Sequence, residues 1–296
     1  MRRALLLLAL GGSLTACTSP PPAPGASPSP HGPGIGAVPG ETPSGYGRLQ
    51  SHPPSSGPAA PVAGWWHPRA GMSWQWQLTG TIDTSVNVEV YDLDAFTTPA
   101  ATVSALKAAG RHTICYVNAG AKEDFRPDAG KFPANVVGKD LEGWPGEKWL
   151  DIRRWDVLEP VLTERFKTCR SKGFDAVEPD NVDGYSNPSG FPLTAADQLA
   201  YNRKVADLAH RMDLAVGLKN DVEQAATLAP AFDFAVNEEC ARYKECADLR
   251  VFTAAGKPVF HVEYDLDPGQ FCAQAKALGF SSMKKKQALD AWRQPC

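Results

Sequence analysis

Between Ser73 and Lys286 the chain alternates eight short apolar runs with stretches of helical pattern, and this alternation restricts the possible architecture more than any other feature. The runs are SWQWQL (73–78), VNVEVYDL (86–93), HTICYVNA (112–119), FDAVEPD (174–180), LAVGLKN (214–220), FDFAVNE (232–238), PVFHVEY (258–264) and FSSMKKK (280–286). Most are apolar on both faces, the pattern of parallel strands covered by helices. Between them, 156–172 places Leu158, Leu162, Phe166 and Cys169 on one helical face and stops at Gly173. The segment 195–211 opens with Thr194 and Asp197 at capping-box spacing, and 268–278 follows Asp267 and starts at Pro268. Eight strands alternating with helices predict an α/β fold, a (β/α)8 TIM barrel. The stretch 120–156, with EGWPGEKWLDIRRWD, fits neither period and is expected to be an irregular loop over the barrel mouth.

The segments before the barrel read differently. Arg2 and Arg3, the apolar ALLLLAL and the small residues ending in LTAC form a signal peptide over 1–17, too short for a membrane span. The LTAC ending matches a lipobox, so Cys17 is the expected lipidation site. Residues 18–63 are dominated by Pro, Ser, Gly and Ala and cannot bury enough apolar surface to order themselves. They are expected to be a disordered linker, with residues 64–296 as the barrel domain. The expected location is the extracellular face of the cell envelope, lipid-anchored or secreted, with contact to membrane only through the anchor and the protein a monomer.

Removing Arg2 and Arg3 with the leader takes the formal charge from −3 to −5. A mildly acidic chain argues against a nucleic-acid partner and suits a neutral or cationic one. Of the seven cysteines, Cys17 belongs to the leader and six remain, an even number in an exported chain. Six cysteines allow fifteen pairings. The local pairs Cys240–Cys246 and Cys272–Cys296 are preferred, which leaves Cys115–Cys169. No CxxC, HxH or HExxH spacing occurs in the domain, so neither a metal nor any cofactor is expected.

A TIM barrel builds its active site at the C-terminal ends of its strands. Reading those ends collects Tyr91 and Asp92, Asn118, then Glu178, Asp180, Asn181 and Asp183, then Lys219, Asn220 and Asp221, then Asn237, Glu238 and Glu239, and last Glu263, Tyr264 and Asp265. Acids before helices also serve as caps, which accounts for Asp221 and Asp267. Asp183 before Gly184 also suits an Asx turn. Glu178 and Asp180 have the same parity on one strand and so face the same side, where like charges need compensation. Of the neighbours Glu238 and Glu239, the first is the candidate and the second a rim or ion-pair residue. The first strand adds Trp74 and Gln75 as candidate sugar contacts, and its WQWQ alternation is expected to send one tryptophan to the lumen and one to the helix layer. Two carboxylates across an aromatic-walled cleft suit glycoside hydrolysis.

The ordered motifs WQWQL, YDLDAF, ICYVNAGAKEDFRPDAGKFP, GWPGEKWLDIR, GFDAVEPDNVDGY, GLKND, AVNEEC and KPVFHVEY span about residues 65 to 290 and together resemble glycoside hydrolase family 114, the endo-α-1,4-polygalactosaminidases. The resemblance implies a TIM barrel and a retaining endo-hydrolase of α-1,4-linked galactosamine or N-acetylgalactosamine polysaccharide. It implies Asp180 of EPDN as nucleophile and Glu238 of NEEC as general acid/base. Lys219, if it points inward, would help keep the nucleophile ionised. Asp92, Glu178 and Glu263 would then face a cationic amino sugar, with Asn118, Asn181, Asp183, Asn220 and Tyr264 as further substrate contacts. Two other readings remain at this point: a non-catalytic carbohydrate-binding barrel, and a glycosidase for a different polysaccharide.

Overall fold

The computed structural model describes residues 64–296; the leader, Cys17 and the linker lie outside the described residues. In chain order the described part runs β1 (Trp74–Gln77), β2 (Val90–Asp94), α1 (Ala100–Ala108), β3 (His112–Asn118), β4 (Ala121–Glu123), β5 (Val137–Asp140), β6 (Glu147–Leu150) and α2 (Trp155–Lys172). It continues with β7 (Ala176–Asp180), α3 (Ala195–His210), β8 (Ala215–Lys219), α4 (Ala225–Leu228), β9 (Phe234–Glu238), α5 (Cys240–Tyr243), α6 (Arg250–Ala254), β10 (Val259–Glu263), α7 (Pro268–Ala277), β11 (Ser281–Lys284) and β12 (Gln294–Pro295). All eight expected strands form. They pair in the order β1-β2-β3-β7-β8-β9-β10-β11, each parallel to its neighbour, in a curled sheet. Strands that follow one another along the barrel are neighbours in space, which keeps every crossover short.

Alternation along each strand divides the core in two. Trp74, Trp76, Ile114, Ala176, Phe234, Phe260 and Met283 pack in the inner cluster. Tyr91, Leu93, Cys115, Val177, Val216 and Leu218 pack outward with the helix faces, including Leu158, Leu162 and Phe166 of α2. The expectation that Trp74 and Trp76 part company is therefore corrected. Residues two apart on a strand share a face, and the two rings stack at 5.9 Å between centroids. Gly217 is required by this packing, because a Cβ there would meet the Phe234 ring at 2.3 Å.

The barrel closes in an unusual way. β11 pairs with the short antiparallel β12, and β1 has β2 as its one strand neighbour. The C-terminal segment bridges β1 to the far edge of the sheet: Leu78 N donates to Leu289 O at 2.9 Å, Gln75 Nε2 to Ala291 O at 2.9 Å, and Arg293 to Trp74 O at 2.9 Å. Trp74 Nε1 reaches Ser281 O on β11 at 2.9 Å. At the opposite, N-terminal end of the strands Trp65 stacks on His210 and Trp66 on His112.

The stretch 120–156 is not irregular. It holds β4, β5 and β6, an antiparallel sheet in the order β4-β6-β5. Two arginines pin it to the barrel. Arg126 takes Asp94 at 2.6 and 3.1 Å and Glu123 at 2.9 Å, and Arg165 of α2 takes Asp128 through two bonds of 2.8 Å. Among the described residues no helix is long and apolar enough to cross a membrane.

The cysteines pair as Cys115–Cys169, Cys240–Cys246 and Cys272–Cys296. Cys115–Cys169 ties β3 to α2 across 54 residues. On a loop-closure argument, replacing both by alanine lowers unfolding free energy by about 4 kcal/mol. Denaturant titration of the double variant against the parent checks this; an unchanged midpoint would show that the crosslink does not constrain the unfolded chain.

Candidate active site

The site is assembled at the C-terminal ends of β3, β7, β8, β9 and β10. Asp180 closes β7, Lys219 closes β8 and Glu238 closes β9. Immediately after each, the backbone turns through positive φ: Asn181 at 61°, Asn220 at 50° and Glu239 at 62°. These conformations are unfavourable for residues with a Cβ, least so for asparagine, and they cluster where the chain must leave a strand sharply to expose a functional side chain. At Glu239 the turn is held by the Arg242 guanidinium at 2.6 Å, which makes Glu239 the ion-pair residue its position implied.

Lys219 is the centre of the arrangement. Its ammonium, 3% exposed, stands 2.8 Å from Asp180 Oδ1, 3.2 Å from Glu238 Oε2 and 3.2 Å from Glu178 Oε1, above the Trp76 ring at 4.9 Å. The first two contacts bound the Asp180–Glu238 oxygen separation at 6.0 Å. Burial works against a charged lysine here, and the Asp180, Glu238 and Glu178 carboxylates outweigh it, raising its pKa well above the ordinary value.

Asp180 shows the reverse balance. Burial raises its pKa, but the Lys219 charge and the hydrogen bonds from Lys219, Tyr116 and the Asn181 amide lower it below the usual carboxylate value overall. Tyr116 Oη donates to Oδ2 at 2.8 Å and Asn181 N to Oδ1 at 2.8 Å. Glu238 is oriented by two donors, Tyr264 Oη on Oε1 and Asn220 Nδ2 at 3.2 Å on Oε2.

Beneath these residues lies a buried acid pair, Asp92 and Glu178, both 0% exposed. Burial first, then the Glu178 charge, raise the Asp92 carboxyl well above the usual range. Burial pushes Glu178 up to about 7 against the pull of Lys219 and Asp92. One proton on Asp92 and one charge on Lys219 thus compensate the floor, the price of placing four acids around one lumen.

A cleft opens above in two adjoining lobes of about 760 and 650 Å³. The larger is lined by Trp76, Tyr116, Leu141, Glu147, Asp180 and Lys219. The smaller is lined by Tyr185, Asp221, Glu239, Tyr243 and Tyr264. Trp144, Asp183, Asn220, Glu238 and Gln287 belong to both, so Glu238 stands where the lobes meet, with Asp180 in the larger one.

Several expected contacts lie elsewhere. Trp74 is inner core, and Gln75 secures the C-terminal segment. Asp92 and Glu178 are floor rather than wall, with no surface for a sugar. Glu263 has the opposite parity to Phe260, Val262 and Tyr264, so it faces outward, buried against His261 Nε2 at 2.9 Å and the Ala241 amide at 2.8 Å. Asn118 accepts from the Ala121 amide at 2.7 Å and donates to Glu147 Oε2 at 3.1 Å, holding the 120–156 excursion to the barrel. Asp221 is no helix cap: its side chain accepts from Asn202 at 2.9 Å, and burial followed by the Asp183 charge pushes it up to about 8. The cleft residues missed in the sequence include Tyr116, Leu141, Glu147, Tyr185, Tyr243 and Gln287. Tyr116 could have been found, since it is two residues from Ile114 and on the lumen face.

Comparison with known proteins adds four findings. The family model for glycoside-hydrolase family GH114 matches residues 55–296. The crystal structure of Aspergillus fumigatus Ega3 in complex with galactosamine is 39% identical, covers 78% of this chain and 97% of its own, and superposes with a TM-score of 0.74. The glycoside hydrolase domain of PelA from Pseudomonas aeruginosa, 15% identical over 75% of this chain and 97% of its own, shares the fold at a TM-score of 0.59. An uncharacterized protein of Deinococcus radiodurans is 29% identical over 283 residues, 83% of this chain and 91% of its own length.

Proposed function

The chain belongs to glycoside-hydrolase family GH114, and on that premise we propose that it is a retaining, endo-acting hydrolase of α-1,4-linked galactosamine polymers. The observation that carries the reading is the Asp180–Glu238 pair held within 6.0 Å across Lys219. Retaining glycosidases keep their carboxyls about 5–5.5 Å apart, whereas inverting ones leave about 6.5–9.5 Å for a water. Asp180, ionised and pinned by Tyr116 and Lys219, attacks the anomeric carbon and forms a glycosyl ester. Glu238, aimed by Tyr264 and Asn220, protonates the departing glycosidic oxygen. It then takes a proton from the water that cleaves the ester, so the anomeric configuration is kept.

Endo action is supported by the two lobes meeting at Glu238, which lets polymer extend to both sides of the cut. A galactosamine substrate is supported by the 39% identical Aspergillus fumigatus relative, whose structure holds galactosamine. On this reading the enzyme is a monomer held at the outer face of the envelope by a lipid at Cys17, which the pattern of the leader and linker supports.

The test is a product assay on partly deacetylated α-1,4-galactosaminan. A ladder of oligosaccharides whose new reducing ends are first α by NMR is expected, and Glu238→Gln should slow its appearance about 100-fold or more. Initial β products would show inversion. Binding without cleavage would favour a carbohydrate-binding barrel, and cleavage of other polysaccharides alone would move the substrate.

A further inference from the structure

Glu147 is a buried acid that the hydrolytic step does not use. It is 7% exposed and lines the larger lobe with Asp180. The turn from Leu141 to Glu147 delivers it: Trp144 N bonds Leu141 O at 3.1 Å, Glu147 N bonds Trp144 O at 3.1 Å, and Leu141 N bonds Glu147 O at 2.9 Å. The same turn therefore brings an indole and a carboxyl into the cleft together, a stacking face for a sugar ring and a partner for a polar substituent. Glu147 is fixed from below by Asn118 Nδ2 at 3.1 Å. Asn118 is the register partner of Asp180, so the carboxyl rests on the residue beside the nucleophile. In a galactosamine seated for attack by Asp180, the amino group sits on C2, the ring carbon next to the one under attack.

We propose that Glu147 is the specificity residue that reads this free amino group, its carboxylate pairing with the ammonium of an unacetylated galactosamine next to Asp180 and discriminating against the neutral N-acetyl sugar. The inference rests on the galactosamine reading above. The charges that face Glu147 support it: burial, then Asp180 and Glu123, push its carboxyl up to about 8, while Arg126 and Lys219 pull the other way. A cation entering between Glu147 and Asp180 relieves that repulsion, whereas a neutral acetamide leaves it in place. Capture of an ammonium below about pH 8 releases the Glu147 proton, so binding tightens as pH rises towards that value.

The experiment compares the full chain and Glu147→Gln on fully deacetylated and fully N-acetylated α-1,4-galactosaminan. Glutamine keeps the volume and an acceptor for Asn118, so the fold is retained, and a thermal melt checks it. For the deacetylated polymer the variant is expected to raise KM about 10- to 100-fold, the loss of a charge-assisted hydrogen bond, with kcat altered less than about threefold. The preference for deacetylated over acetylated polymer falls by the same factor. Wild-type KM falls between about pH 6 and pH 7.5, and this slope is absent from the variant. An unchanged preference with an unchanged pH slope overturns the role of Glu147 while leaving the hydrolase reading intact. Failure of the wild type on both polymers overturns both.

Discussion

Asp180→Asn is expected to lower kcat on galactosamine oligomers by about 10⁴-fold while leaving the thermal melt within a few degrees of the parent. The activity loss follows from chemistry: an amide oxygen cannot form and release the glycosyl ester, and about 10⁴-fold corresponds to roughly 5.4 kcal/mol of transition-state stabilisation. The small change in stability follows from the surroundings. Lys219 loses the charge of its partner at 2.8 Å but keeps the Glu178 and Glu238 carboxylates at 3.2 Å each, so its own charge is not abandoned in the interior. The Asn181 amide still finds an oxygen to donate to, and the Tyr116 hydroxyl, now facing an amide, can reverse its bond. The measurement is single-turnover kinetics alongside calorimetry. Turnover within tenfold of the parent would move the nucleophilic role to another carboxylate. Glu178 is a poor alternative because it is fully buried beneath Lys219 and has no path to the substrate.

The residues that were legible in the sequence and those that were not differ in a physical way. Strand parity is local information, and it placed Glu178 and Asp180 on one face. Applied to β10 it would also have turned Glu263 outward, because Phe260, Val262 and Tyr264 have the other parity. The strands themselves were legible because burial on both faces leaves a continuous apolar run. What was not legible depends on contacts between distant segments. Gln75 bonds Ala291, 216 residues away, because the C-terminal segment closes the barrel seam. Glu147 sits in a short antiparallel sheet whose exposed and half-buried residues break any period, and it enters the cleft through the Leu141–Glu147 turn and the Asn118 side chain. Its carboxyl could be recognised as a cleft residue only once β3 and the excursion were placed together.

Lys219→Met is the second large effect, and it acts on stability and chemistry together. The variant keeps the length of the side chain over Trp76 but removes the only cation in contact with Glu178, Asp180 and Glu238 among the described residues. Breaking a buried ion pair from one side typically costs about 3–5 kcal/mol, since the abandoned charges stay desolvated. The pH dependence fixes the cause. In the parent, Asp180 is held below its ordinary pKa, so its stabilising contribution is present above the unfolded carboxylate range and is lost as pH falls through the lowered folded value. Without Lys219 burial dominates, the carboxyls rise, and the folded state binds protons that the unfolded state has released. The variant is then least stable relative to the parent at high pH and recovers towards acid, the opposite of what Asp180 contributes in the parent. Activity follows the same protonation. A nucleophile that keeps its proton near neutrality moves the acid limb of kcat/KM upward, and the loss at pH 7 is about tenfold for each unit by which its raised pKa exceeds 7, shrinking as pH is raised until the fold fails. Denaturant midpoints and kcat/KM measured between about pH 5 and pH 9 check both curves. A stability difference independent of pH would mean that Lys219 acts through packing on Trp76 rather than through its charge, and an unmoved acid limb would mean that Tyr116 and the Asn181 amide alone keep Asp180 ionised.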